Sequence, residues 1–240
     1  MVMTRADAGP LPITGTDLQD RILYRDALML IIDKPTGLPV HSGPGRGRSL
    51  EDLFDALRFG LPNPPALAHR LDRDTSGCLV LGRHRRALRR LGGLFSEGKV
   101  EKIYWAVVEG RPAAAAGRVE HPLKKITQKA GWRMVVAADG QKAITDYRII
   151  GESGGRSWIE FRPRTGRTHQ IRVHAAMLGC PLVGEPVYGR APPDARVPLH
   201  LHAREISVPL YEGKPIVTAV APPPAHMTSA LVSCSYVASQ

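Results

Sequence analysis

The stretch Val100 to Glu109 reads VEKIYWAVVE, and its alternation sets the fold class. Ile103, Trp105 and Val107 fall on one side of an extended chain and Tyr104, Ala106 and Val108 on the other, because successive strand side chains point to opposite faces. Downstream, Trp132 to Val136, Ala143 to Ile150 and Ser157 to Arg162 read as further strands separated by Gly-bearing turns. Consecutive strands argue for antiparallel pairing and against regular strand-helix-strand winding.

Upstream, LMLIID (Leu28 to Asp33) is a buried strand ended by Lys34-Pro35. A turn-rich loop follows to Gly47. Ser49-Leu50-Glu51-Asp52 resembles a capping box opening a helix that carries Leu50, Phe54 and Leu57. Cys78 to Leu81 has strand character, and His84 to Ser96 places Leu88, Leu91 and Phe95 at helical spacing with Gly98 at its end. Arg111 to Arg118 reads as a connecting loop. His169 to Leu178 sets Ile171, His174, Ala175 and Leu178 on one helical face, stopped by Gly179 and Pro181. Leu199 to Val208 and Ile216 to Ala221 supply two last strands before a Pro-rich tail expected to be frayed from Pro222. The economical reading is one α+β domain over 25–222, with a polar extension at 1–24 and a tail at 223–240.

The chain has 240 residues and a formal charge of +11. At 43% hydrophobic and 23% charged residues, general disorder and a membrane protein are disfavoured. The longest apolar run, Ala27 to Ile32, is too short to span a bilayer, and the first ten residues show no apolar leader, so a cytoplasmic protein is expected. Cys78, Cys180 and Cys234 fit neither a disulfide framework nor a paired-cysteine zinc site and are expected to be buried. Eight of the 33 basic residues are lysines and the rest arginines. The flat guanidinium fork suits phosphates and base stacking, so a nucleic-acid partner is favoured.

Two arginine-rich loops mix charge with turn formers. In HRLDRDTSG (His69 to Gly77), Asp72 lies between Arg70 and Arg73, whose charges keep a carboxylate ionised and suited to act as a nucleophile. In RPRTGRTHQIRVH (Arg162 to His174) there are four arginines and no acid. Gly166 permits a tight turn, and Thr165 or Thr168 is placed to cap the following helix. Arg172 lies about 100° around that helix from Ile171, at the edge of the apolar face.

HRLDRDTSG resembles the HRLDxxTSG motif of the RluA family of pseudouridine synthases at all seven fixed positions, a coincidence expected roughly once in 10⁹ positions. DKPTGLPVHSGPG (Asp33 to Gly45), EKIYWAVVEG (Glu101 to Gly110), RTGRTHQIRVH (Arg164 to His174), GCPLVGEPVYG (Gly179 to Gly189) and LHLHA (Leu199 to Ala203) agree with the same family in the same order. The resemblance covers about residues 22 to 222. It implies an RNA-modifying isomerase with a mixed, mostly antiparallel sheet, flanking helices and a central RNA-binding cleft, acting on ribosomal or transfer RNA without a cofactor; a monomer is expected because no unused apolar surface is evident in the sequence. Carried over, it makes Asp72 the catalytic aspartate, Tyr104 the tyrosine against the target uracil, and Arg172 the ion-pair partner of the aspartate. Arg70 becomes the residue that occupies the place of a flipped nucleotide, and Leu201 lines the uracil pocket. Arg73, Thr75, Arg167, His169 and Gln170 are expected to bind substrate. Glu185, where many members have Asp, is expected to lie outside the catalytic positions. Fewer than 30 residues precede the first catalytic-domain strand, so the extra amino-terminal RNA-binding module of many relatives is not expected.

Two other readings stand beside this one: a non-catalytic RNA-binding protein, which would not need the Asp72, Tyr104 and Arg172 set, and a glycosidic hydrolase, for which Asp74 is the second carboxylate nearest in sequence. His200 and His202 form an HxH pair, but without matching carboxylates or cysteines a hydrogen-bonding role is expected in place of a metal.

Overall fold

The computed structural model describes residues 13–42, 47–128, 131–189 and 197–237. The glycine-rich turn at 43–46 and the first twelve residues therefore lie outside the described residues. Strand β5 (Glu101–Glu109) is the axis of the sheet, antiparallel to β10 (Arg156–Pro163) on one side and to β11 (Leu201–Val208) on the other. Beyond β10 lie β9 (Ile144–Ser153) and β6 (Ala116–Glu120). Beyond β11 lie β4 (Ser76–Gly82), β2 (Met29–Lys34) and β1 (Ile22–Arg25), with β3 (Ala66–Leu67) paired to β4. Strand β12 (Val217–Val220) continues the β11 edge where β4 leaves it. A separate hairpin, β7 (Leu123–Gln128) and β8 (Gly131–Val136), stands off the main sheet.

The alternation in β5 divides two cores. Ala106 and Val108 pack with Ile159, Phe161 and Leu201 under helix α3 (Gln170–Met177), which contributes Ile171 and Ala175. On the opposite face, Val107 and Trp158 pack against Met227 and Leu231 of α4 (Ala225–Ser233). The other half of the sheet is covered in the same way. Helix α1 (Gly15–Gln19) and a 3₁₀ helix, Glu51–Leu57, cover Leu30, Ile32, Leu79 and Leu81, while α2 (Arg85–Ser96) sends Leu91 against Ile31 and Val80. Tyr104 borders both cores of the first face, at the seam where a cleft opens.

Three expectations differ from the structure. The segment after Ser49 is a 3₁₀ helix because only half of the capping box forms. Asp52 reaches back to the Ser49 N–H at 2.8 Å, while the Ser49 hydroxyl accepts from Ser42 and no side chain caps the N-terminus. The supposed loop at 111–118 already enters β6 at Ala116, and 123–128 forms an unforeseen strand, since neither has the apolar alternation of a core strand. The tail expected to fray carries α4, whose Met227 and Leu231 are fully buried, each stabilising the fold by about 1.5–3 kcal/mol. The Arg83 guanidinium, just before α2, donates to the Asp26, Arg58 and Phe59 carbonyls. All three cysteines are buried.

The parallel pairing of β4 with β11 is close, with Ser76 opposite His202 and Gly77 opposite Ala203. Gly77 has φ +104°, and a Cβ there would sit 2.8 Å from the Ala203 carbonyl carbon and nearer still to its oxygen. Gly77→Ala is accordingly expected to lose about 3 kcal/mol or more in chemical denaturation. Gly154→Ala, at φ +56° with open space around it, loses only about 1–2 kcal/mol.

His202 is fully buried beside this contact, its Nδ1 accepting from the Ser76 hydroxyl at 2.9 Å and its Nε2–H donating to Ala221 at 3.2 Å. Burial pushes the imidazole from its ordinary 6.5 down to about 4. Above pH 6.5 folded and unfolded chains are both neutral at this position. Between 6.5 and 4 only the unfolded chain takes the proton, so stability falls with pH by up to about 3 kcal/mol. Thermal melts across that window are expected to show a decline to which the other buried histidines add, and His202→Gln to lessen it.

Candidate active site

The cleft at the Tyr104 seam is open to solvent on one side and is walled by the 70–75 loop, the ends of β5 and β11, and the 163–172 segment. Asp72, Tyr104, Arg172, Arg70, Thr75, Arg167, His169, Gln170 and Leu201 all line it. Arg73 is not among the lining residues. Its side chain is 70% exposed and its Nε donates to the Gly37 carbonyl at 3.1 Å, so it ties the loop down from outside. Asp74, also absent from the lining, stands 3.8 Å from Arg73, and its backbone carbonyl accepts from the Thr36 hydroxyl. The second carboxylate that a hydrolase needs is not supplied there.

The Asp72 loop is held from below by a residue that sequence reading missed. Lys34, fully buried at the end of β2, donates its three ammonium hydrogens to the carbonyls of Pro35, Arg73 and Thr75 at 2.8, 2.9 and 2.9 Å. Burial pushes its ammonium down to about 7, against the pull of Asp74, Asp72 and Asp33. The Thr75 N–H closes a turn on the Asp72 carbonyl at 3.2 Å. His69, at the loop's entrance, accepts from the Val80 N–H and stacks on Phe95, and burial pushes it down to about 3. The only signal for Lys34 was its place after an apolar strand and before Pro35.

The expected ion pair between Arg172 and Asp72 is not made directly. Arg172, on the first turn of α3, is 4% exposed and forms a fork with Glu185: Nε to Oε2 at 2.9 Å and Nη2 to Oε1 at 2.6 Å. Burial opposes its charge, but Glu185, with Asp72 further off, raises the guanidinium pKa above its ordinary value. Glu185 also accepts from the N–H groups of Val187 and Tyr188. Far from lying outside the site, Glu185 is one contact behind it, brought there by the turn after α3.

His169 fills the space between Arg172 and Asp72. Its Nε2 accepts from Arg172 Nη1 at 3.0 Å and lies 3.9 Å from the Asp72 carboxylate. Because Arg172 can only donate, the neutral ring carries its proton on Nδ1, which donates to the Tyr188 hydroxyl at 2.8 Å. Burial lowers its pKa, Asp72 opposing. His169 has φ 52°, a left-handed conformation that costs a non-glycine residue about 1–2 kcal/mol. The strain turns the ring into the cleft.

Neither Thr165 nor Thr168 caps α3, whose first residue is preceded by His169 without a side-chain cap. Thr165 donates instead to Gln170 Oε1, which also takes the Arg167 N–H, while Gln170 Nε2 donates to Ile144 and Thr145. Gln170 therefore builds the loop, and its amide is fully engaged within the protein. Arg167 and Arg70 are exposed at the rim. Lys102, also missed from sequence, lines the cleft two residues from Tyr104, and burial lowers its pKa. The Tyr104 hydroxyl is kept protonated by burial and the nearby Asp72 charge. The result is a carboxylate beside an aromatic and aliphatic floor, ringed by fixed cations. It suits nucleophilic attack on a flat, uncharged ring carried by a polyanion.

Removing one member of a buried pair strands the other. Glu185→Met is expected to cost about 3–5 kcal/mol in denaturant unfolding, and the Arg172→Met, Glu185→Met double variant to recover much of that loss. Additive losses would show that the fork contributes little.

Residues 28–177 match the RNA pseudouridylate synthase family. An uncharacterized RNA pseudouridine synthase of Zymomonas mobilis is 47% identical over 213 residues, covering 88% of this chain and 97% of its own. The mitochondrial pseudouridylate synthase RPUSD4 of Xenopus tropicalis is 33% identical, covering 84% and 76%. Among solved structures, human RNA pseudouridylate synthase domain containing 4 superposes with a TM-score of 0.77 at 28% identity, over 92% of this chain and 95% of that one. With its RluA-type motifs gathered around one cleft, the chain belongs to the RNA pseudouridylate synthase family, a family of isomerases.

Proposed function

We propose that the protein converts a specific uridine to pseudouridine in ribosomal or transfer RNA, with Asp72 as nucleophile and the target base flipped into the cleft. The observation that carries this reading is the placement of the Asp72 carboxylate, 22% exposed, in one cleft with Tyr104 and Leu201. The reaction breaks the bond between N1 and ribose C1′, turns the uracil, and joins C5 to C1′. A proton leaves C5 and one is gained at N1, so atoms and electrons balance without an external reagent. The carboxylate holds one half while the other turns.

Tyr104 offers its ring to the base, and Leu201, opposite Ala106 in the β11 and β5 register, forms the apolar wall. Arg172 and His169 position Asp72, and Glu185 holds Arg172 in place. Arg70, exposed at the rim, fills the gap left in the RNA stack and offsets an unstacking cost of a few kcal/mol. Exposed Arg85, Arg86, Arg89 and Arg90 on α2, with Arg167, supply phosphate contacts. The bacterial relatives support a cytoplasmic site of action, and a single chain holds every residue named here.

Asp72→Asn is expected to abolish pseudouridine formation, read by carbodiimide treatment and primer extension across stable RNAs, while RNA affinity changes less than about three-fold. Full activity in that variant would sink the mechanism. Loss of binding with unchanged turnover of bound RNA would reduce Asp72 to a structural role.

A further inference from the structure

The β7–β8 hairpin carries one face whose character changes along its length. Lys125 pairs with Met134 and Thr127 with Trp132 in the antiparallel register, so Lys125, Met134 and Trp132 project to the same side. At the base, Leu123 and Met134 are buried with Val173 of α3. Toward the tip, Trp132 is left 44% exposed.

Two contacts tie this indole to the cleft. Its ring lies 5.0 Å from the His169 ring at an interplanar angle of 32°, and His169 in turn stands 3.9 Å from Asp72. The Met134 N–H donates to the Tyr188 hydroxyl at 3.0 Å, the same hydroxyl that takes the His169 proton. Above the ring, the Lys125 ammonium is 4.6 Å from the centroid, with no carboxylate paired to it among the described residues. Lys125 also lines a second, open depression, which meets the cleft at Gly166, Arg167 and Thr168.

A half-open indole beside an unpaired cation, continuous with a site for a flipped base, matches a unit of single-stranded RNA: a base for the ring and a phosphate for the ammonium. Flipping one nucleotide leaves its neighbours without a stacking partner, and a rigid aromatic surface next to the cleft restores one. We propose that Trp132 and Lys125 form a subsite for a nucleotide flanking the target uridine, the base stacking on Trp132 and the phosphate meeting Lys125. This rests on the reading of the cleft as a uridine-isomerising site. It adds a determinant of RNA choice that the catalytic residues do not supply.

The test separates the two. Trp105 and Trp158 pack against each other and against Tyr236, so the exposed Trp132 is the indole that an RNA strand can reach. A ten-nucleotide oligouridylate is expected to quench the fluorescence of the wild-type protein. A strand of the same length with abasic riboses is expected not to, and Trp132→Phe is expected to lose the quench while still binding. Trp132→Ala is expected to weaken oligouridylate binding on the order of ten-fold and to raise KM on the modified RNA similarly, with kcat within about three-fold and Trp132→Phe near wild type. Equal quenching by the abasic strand, or a Trp132→Ala protein that binds like wild type, overturns the subsite. So does a parallel loss of kcat and melting temperature in Trp132→Ala, which would make the indole a structural prop. If the wild type modifies no RNA, the isomerase reading fails on its own, and the quenching arms still decide whether Trp132 takes a base.

Discussion

The placement of the Asp72 loop depends on one buried cation. Lys34 is sealed from solvent at the end of β2, and all three of its hydrogens are committed to backbone carbonyls, two of them within the 73–75 turn. A charge removed from water is tolerated only with full hydrogen-bond compensation, so the loop is drawn to the lysine as much as the lysine to the loop. Asp72 stands just before that turn. The same register that brings Lys34 opposite Gly77 in β4 also sets Gly77 against Ala203 in β11. Asp72, the strand carrying Leu201 and the floor at Tyr104 thus share one local geometry.

On the other wall of the cleft, charge is handed inward through a chain of contacts: Asp72, His169, Arg172, Glu185. Each member fixes the next. Glu185 immobilises the guanidinium, the guanidinium dictates which nitrogen of His169 carries the proton, and the left-handed backbone at His169 aims the ring at Asp72. Such a network holds a carboxylate in a defined position without burying it in a direct salt bridge, and so leaves its lone pairs to face a substrate. The hairpin joins this network through Tyr188, whose hydroxyl contacts both the Met134 N–H and His169.

Much of the fold was legible from residue pattern. The alternation of Tyr104 with Trp105 separated the cleft face from the α4 face, and the apolar spacing in 169–178 located α3 to within a residue at each end. Helix α4 was hidden because its Pro-rich approach reads as a terminator and its apolar content makes sense only against Val107 and Trp158. Strand β7 was hidden because its exposed positions alternate lysines and polar residues, as strands outside a main core do. Within the site, Lys34, Lys102 and Glu185 lay in segments matched to the family, but nothing in the sequence named the partners they take. A lone charged residue in a loop or at a strand end looks solvated until the fold closes over it.

By itself, then, the sequence determined the α+β class, the order of most elements, the basic character suited to RNA and the residues gathered at the cleft, because periodicity and local motifs are properties of neighbouring residues. Tertiary structure alone decided who pairs with whom. Arg172 took Glu185 and not Asp72, Gln170 turned to building its own loop, Arg73 faced outward, and Trp132 came to lie on His169. Those partners are set by which surfaces meet across the sheet and by the demand that every buried charge and donor find a counterpart, and that demand acts only once distant segments of the chain have come together.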